Sequence, residues 1–319
     1  HPETAFQEFQ TADYAAKELE SLGFQVRRGL GKTGLVAALP GLSEGPRFLL
    51  RFDMDALALQ EQTGLDFAST KAGFMHACGH DGHVAIGLTV ARILSELKDK
   101  LSGSYYLLFQ PAEEIGQGAA AMIADGVIDT IKPDYALAVH LWAEEPAGWL
   151  GITAGPVMAG SKDLRIKGHG VGGHSARPHK TVDPILASAH LITALQSIVS
   201  RKIDPLESGV YSITQIHAGS TINVIPESVT MSGTPRYFTP EVEEEIETST
   251  KRICEGIAKT FGCEIEVNLG VNAPPLVNDP AVCQAALAAA RRINPDFTID
   301  QNLKMMASED MALFLQRIP

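Results

Sequence analysis

A chain of 319 residues is too long for one simple core, so two domains are expected. The formal net charge is −12 with no dense Lys/Arg cluster, which argues against a nucleic-acid partner or an anionic membrane surface, and no apolar run reaches the ~18 residues of a membrane span. The four cysteines, Cys78, Cys254, Cys263 and Cys283, form no C-x-x-C pair, so a disulfide scaffold is excluded and a reducing, cytoplasmic setting is expected. The sequence opens on His1 rather than Met and shows no signal-peptide pattern, as expected of a chain whose first residues were removed or are not shown.

In chain order, Phe6, Phe9, Ala12, Ala16 and Leu19 recur at helical spacing, and Gly23 stops that helix. Short β-like runs follow at Gly34–Leu39 and Arg47–Phe52, then a largely apolar helix near Val84–Leu97. Tyr105–Phe109 and Tyr135–His140 read as buried strands, with a short helix at Gly118–Asp125 closed by Gly126 between them. This alternation predicts an α/β fold whose central sheet is mixed, largely parallel and flanked by helices. The middle third differs. A strand at Asp163–Lys167 leads to a helix opened by Asp183-Pro184, with Ile185, Ala189, Ile192, Gln196 and Val199 on one face. Strands at Val210–His217 and Ser228–Arg236 follow. A helix opened by Thr239-Pro240 then carries Ile246, Thr250, Ile253, Ile257 and Phe261 on its face and stops at Gly262. Residues 158–274 therefore read as an inserted α+β domain, and 1–157 with 275–319 as the domain that receives it.

Polar clusters follow three predicted strands: Asp53-Met-Asp55, Gln110-Pro-Ala-Glu113-Glu114 and His140. Ligands of open α/β sheets bind beyond the carboxyl ends of the strands, where such clusters converge. The densest cluster is His76-Ala-Cys78-Gly-His80-Asp81-Gly-His83. Cys78 and His80, two apart across a glycine, can turn toward one transition-metal ion. Cys78 could also be a nucleophile or a plain buried cysteine, but His80 and the carboxylate pair favour metal. Asp81 is a ligand candidate or the N-cap of the next helix, and His83 reads as a packing or supporting residue. Of Glu113 and Glu114, one can ligate while the other takes and returns a proton; both could instead be a solvated loop tip. His140 is a ligand candidate or a satisfied core histidine. Gly172-Gly-His174 reads as a loop closing over a ligand or as an ordinary turn. Asn223 and Arg236 are candidate substrate clamps, Arg suiting a carboxylate.

These stretches resemble a known family. HPE at 1–3, RFDMDAL at 51–57, HACGHDGH at 76–83, FQPAEE at 109–114, HLW at 140–142, GGHSARPH at 172–179, NVIP at 223–226 and SED at 308–310 match, in order, the dinuclear-metal N-acyl-amino-acid amidohydrolases. These include hippurate and indoleacetyl-amino-acid hydrolases and are relatives of aminoacylase and glutamate carboxypeptidase. The resemblance implies that Cys78 bridges two divalent ions, manganese or zinc, with His80, Glu114 and His140 as further ligands. It implies Glu113 as general base and Asp53 as a support for the ligands. His174, in the inserted domain, would reach the active site of the partner subunit and stabilise the oxyanion, Asn223 would help it or bind substrate, and Arg236 would anchor a carboxylate. The inserted domain would be a lid and the interface of a homodimer. The family carries one more metal-binding His beyond the SED motif, and the sequence given ends at Pro319 before that point. The implied reaction is hydrolysis of the amide of a small N-acylated amino acid. A dipeptidase or carboxypeptidase with the same centre, and a non-catalytic ligand-binding relative, are the alternatives.

Overall fold

The structure is a computed structural model, and it describes residues 1–318. In chain order it contains α1 (Phe9–Ser21), β1 (Gln25–Leu30), β2 (Gly34–Pro40), β3 (Ser43–Asp53), α2 (His80–Leu97), β4 (Ser102–Gln110), α3 (Gly118–Ala124), α4 (Val127–Ile131) and β5 (Tyr135–Ala138). There follow β6 (Trp149–Gly151), β7 (Gly155–Met158), β8 (Gly160–His169), β9 (Gly173–His174), α5 (Pro184–Leu195), α6 (Ser197–Arg201), β10 (Gly209–Ala218), β11 (Val224–Ile225), β12 (Ser228–Tyr237), α7 (Pro240–Phe261) and β13 (Glu264–Ala273). The chain closes with β14 (Leu276–Asn278), α8 (Pro280–Ile293), β15 (Thr298–Asp300) and α9 (Ala312–Leu315). Among the described residues no helix is long and apolar enough to cross a membrane.

Two compact units result, one of residues 1–155, 276–303 and 309–319, the other of 156–275 and 304–308. The first unit is built on a mixed sheet in the order β1-β2-β4-β3-β5. The β1/β2 and β2/β4 pairs are antiparallel; β4/β3 and β3/β5 are parallel. Apolar side chains of β2, β3 and β4, among them Leu35, Ala37, Phe52, Leu107 and Phe109, form the core with Ala15, Ala16 and Leu19 of α1. Full burial of such a side chain contributes about 1.5–3 kcal/mol. Helix α2 seats on β3 and β4 through Gly87, where a Cβ would lie 2.8 Å from the Phe52 ring and 2.9 Å from that of Phe109. The register pairs Asp53 with Gln110 and Arg51 with Ala138. Parallel strands thereby bring the residues after β3, β4 and β5 to one edge of the sheet.

The second unit is a sheet in the order β10-β12-β8-β13, antiparallel throughout, with α5, α6 and α7 contributing to its core. Residues 304–308 join it through backbone: Ala159 N–H donates to the carbonyls of Met305 and Ala307. Asp183 caps α5, accepting from Ile185 and Leu186 N–H, and Gly262 closes α7 at φ +68°.

Four local expectations are corrected. The buried face of α1 is Ala15, Ala16 and Leu19; Phe9 is 61% exposed, and Phe6 precedes the helix at φ +61°. Helix α5 buries Pro184, Ala187, Ser188, Leu191 and Leu195 rather than the face through Ile185. It is apolar nearly all round, so periodicity does not select a face and packing does. Strand β5 stops at Ala138, and of its residues Ala136 alone is buried, because it is the edge strand. Asp81 lies in the first turn of α2 and does not cap it; the cap position is Gly79, at φ +82°.

Candidate metal centre

The site is assembled at the carboxyl ends of β3, β4 and β5, with the N-terminus of α2 facing them. At the end of β3, Asp53 is fully buried. Its Oδ2 accepts from Arg51 Nη1 at 2.5 Å, and its Oδ1 lies 2.5 Å from His83 Nδ1. Burial opposes ionisation of Asp53, but the Arg51 charge and the His83 hydrogen bond outweigh it and hold the carboxyl well below the usual carboxylate range. His83 Nε2 accepts from Leu141 N–H at 2.9 Å, so both ring nitrogens are engaged and His83 supports the site instead of offering a lone pair.

The left-handed turn at Gly79 separates Cys78 from His80 and lets both face inward. His80 is buried, and its Nδ1 donates to the Asp55 carbonyl at 2.9 Å, which leaves Nε2 as the nitrogen that can offer a lone pair once deprotonated. Cys78 Sγ lies 3.5 Å from His140 Nε2, while His140 Nδ1 donates to the Leu141 carbonyl at 2.7 Å. His140 is exposed, so it is no core histidine. Hydrogen bonds with His140 and His80 hold the Cys78 thiol below its ordinary value. Burial works against protonation of His80, yet the Asp55 carboxylate, Cys78 and Asp53 beside it push it up to about 11.

After β4 the chain turns through Pro111 and Ala112, the latter at φ +54°. That left-handed conformation costs a non-glycine residue about 1–2 kcal/mol. It is held by Ala112 N–H, which donates to the buried Glu8 carboxylate at 3.0 Å. The turn aims two consecutive N–H groups at Asp55: Glu113 N donates to Oδ1 at 2.9 Å and Glu114 N to Oδ2 at 3.0 Å. Asp55 thus holds the base of the carboxylate pair, with both oxygens used. Burial pushes Glu113 up to about 10, the Glu309 charge adds to it and Arg51 opposes it. Burial raises Glu114 also.

Ligand atoms of Cys78, His80 and His140 lie within 4.8 Å of one another, as do those of His80, Glu113 and Glu114. His80 Nε2 and Glu114 Oε1 are buried and have no hydrogen-bond partner. Buried polar atoms are rarely left so, and a thiol, imidazoles and carboxylates are the donors that zinc and its neighbours accept. These residues fit divalent metal. His76 belongs to none of the ligand groups, although its Nδ1 is also buried and unpartnered.

Arg51, Asp55, Gln110, Glu309 and Asp310 complete the site; they fall in the polar clusters and matched motifs of the sequence, which gave none of them an individual role. One signal was available: a cationic residue inside the apolar run Phe48-Leu-Leu-Arg51-Phe52 is charged where burial is expected. In the second unit, His174 pairs with Val224 across β9 and β11, and Ser175 N–H donates to the Asn223 carbonyl, so His174 and Asn223 share one short ribbon. Arg236 is elsewhere in that unit, its Nη1 donating to the Met306 carbonyl at 2.5 Å.

The profile described as Peptidase family M20/M25/M40 matches residues 49–319. The chain belongs to this family. Among M20 relatives, N-acetyl-L-cysteine deacetylase of Bacillus subtilis (strain 168) is 40% identical, the match covering 100% of this chain and 76% of that protein. N-acyl-L-amino acid amidohydrolase of Geobacillus stearothermophilus is 38% identical over 99% of this chain and 88% of that protein. A crystal structure of a dinuclear metal binding peptidase from the M20 family of Bacillus subtilis superposes with a TM-score of 0.86 at 34% identity, covering 100% of this chain and 83% of that one. The mixed α/β architecture expected from sequence is the architecture of these M20 structures.

Proposed function

We propose that this chain hydrolyses the amide bond of a small N-acyl amino acid, releasing a carboxylic acid and the free amino acid. The observation that carries the reading is the convergence of Cys78 Sγ, His80 Nε2 and His140 Nε2 beside the Glu113–Glu114 pair, with His80 Nε2 and Glu114 Oε1 buried and unpartnered. The likeness to N-acetyl-L-cysteine deacetylase and N-acyl-L-amino acid amidohydrolase supports the substrate class.

Cys78, His80, Glu114 and His140 would hold two divalent ions, Mn2+ or Zn2+. Bound there, such ions polarise a carbonyl and make water acidic. Asp53 keeps His83 in place behind these ligands. Glu113 sits beside them, its Oε2 3.9 Å from His80 Nε2 and its carboxyl near those of Glu309 and Asp310. It takes the proton of the attacking water and returns it to the leaving amine, the reversible role suited to a carboxyl whose neutral form burial favours. His174 and Asn223 are proposed to stabilise the oxyanion, and Arg236 to anchor the substrate carboxylate, which accepts paired hydrogen bonds from a guanidinium. Residues 158–274 are proposed as a lid and the interface of a cytoplasmic homodimer.

The test is amine release from N-acetyl, N-benzoyl and indoleacetyl amino acids and from free dipeptides, with manganese or zinc supplied. Release from the acylated set that chelator abolishes is the expected result. Release from dipeptides alone would replace this reading with a dipeptidase of the same metal centre.

A further inference from the structure

Arg51 is one of the largest fully buried side chains of the protein, and it faces three carboxylates. Nε donates to Gln110 Oε1 at 2.9 Å, Nη1 to Asp53 Oδ2 at 2.5 Å and Glu309 Oε2 at 3.2 Å, and Nη2 to Glu309 Oε1 at 2.7 Å and Asp310 Oδ1 at 3.1 Å. A guanidinium has five N–H donors, and each finds an acceptor here. Asp310 is engaged in turn by Gln110 Nε2 and by Ala119 N–H. Burying such charges is expensive, and an apolar side chain of similar size often stabilises a core as well or better. Stability alone is therefore a poor reason for this arrangement.

Where the contacts lead supplies a better one. From Arg51 they pass to Asp53, from Asp53 to His83 Nδ1, from His83 Nε2 to Leu141 N–H, and from the Leu141 carbonyl to His140 Nδ1. The last contact turns His140 Nε2 toward Cys78. We propose that Arg51 is a positioning residue for the metal centre: it ties the Glu309–Asp310 segment to Asp53 and, through Asp53 and His83, sets the loop that carries His140. The inference rests on the proposed metal centre. It adds that residues more than 250 positions along the chain from Arg51 help set ligand geometry without ligating. Partners behind a ligand fix its orientation, and their loss typically weakens metal binding about 10–100-fold.

Cobalt(II) titration of the full chain, followed by the sulfur-to-cobalt absorption of Cys78, provides the test. Arg51→Lys keeps the buried charge and so keeps the fold, but a single ammonium cannot hold Gln110, Asp53 and the Glu309 fork together. The paired variant Arg51→Met with Glu309→Met removes one buried charge of each sign, and its metal-free unfolding midpoint reads stability separately. We expect both variants to bind cobalt about 10–100-fold more weakly and to shift the absorption. Wild-type affinity and absorption in both variants would reduce Arg51 to a clasp on the C-terminal segment. Loss of the fold in the paired variant, with Arg51→Lys binding as wild type does, would likewise leave Arg51 a clasp and overturn the proposal. A wild-type chain that takes up no cobalt overturns the metal-centre reading itself and this inference with it.

Discussion

Asp55 lends itself to a sharp perturbation because its two oxygens hold consecutive N–H groups, with His80 Nδ1 3.4 Å from Oδ1. Asp55→Ala removes the acceptors of Glu113 N–H and Glu114 N–H. A hydrogen bond to a charged group contributes about 1.5–3 kcal/mol, so about 3–6 kcal/mol is the ceiling for the pair. Water can reach the half-buried loop and replace part of this, which brings the expected loss to about 2–4 kcal/mol. The His80 contact survives, since His80 Nδ1 donates to the Asp55 main-chain carbonyl. The variant therefore acts chiefly on the carboxylate pair; His80 keeps its main-chain contact but loses the neighbouring Asp55 carboxylate. With the turn at Ala112 now held by Glu8 alone, a shift of the base of about 1 Å costs roughly 100-fold in rate. The assay is kcat and KM at saturating metal on the acylated substrate of the wild type, with urea unfolding of the metal-free chain alongside. The loss should fall on kcat. Asp55→Asn should recover part of it, because one amide oxygen accepts one N–H while its NH2 opposes the other. A kcat/KM within about threefold of wild type for Asp55→Ala, at unchanged metal content, would refute the positioning argument.

Two further outcomes follow from the same geometry. Glu113→Gln keeps the shape and the backbone contact to Asp55 but removes the proton carrier, so turnover should fall by about 100-fold or more while metal content measured by elemental analysis stays near wild type; full activity would remove Glu113 from the mechanism. The metal-free chain should lose stability as pH rises from 5.5 to 8.5. Glu113, pushed up to about 10, Asp310, up to about 7, and His80, up to about 11, each bind more protons folded than unfolded across part of that range. Proton binding by the native state makes stability fall with pH. Asp53, held low, is ionised throughout this window and does not offset them. Thermal unfolding in chelator should show the midpoint falling with pH, whereas metal-loaded protein should trend the other way because ligands must be deprotonated to bind. A metal-free midpoint that rises with pH would show that these groups are not buried as described.

Much of this was legible in the residue order. Alternation of short apolar runs with helical periodicity identified the α/β sheet and strands β2, β3, β4, β5, β8, β10 and β12, some with ends three or four residues short, while the remaining short strands were not foreseen; a strand buried on both faces must be apolar along its length, as Leu107, Leu108 and Phe109 are. Asp183-Pro184 and Gly262 marked helix ends by chemistry that acts within a few bonds. The ligand candidates Cys78, His80, Glu113, Glu114 and His140 were visible because each stands just past a strand end or in a dense local motif.

Other features depended on distance in three dimensions. The buried face of α5 was decided by what packs on it, since its own sequence is apolar on every side. Glu8, 104 residues before the turn it secures at Ala112, carried no local sign of that task. Arg51, Glu309 and Asp310 lie in the motifs RFDMDAL and SED, but nothing in the sequence paired them until the fold placed one guanidinium among three carboxylates. Local sequence determined where donors and acceptors occur, because helix, strand and turn preferences act over a few residues. Which donor meets which acceptor was decided by the tertiary structure alone, because a buried hydrogen bond or ion pair is a relation between two places in the chain that only packing brings together.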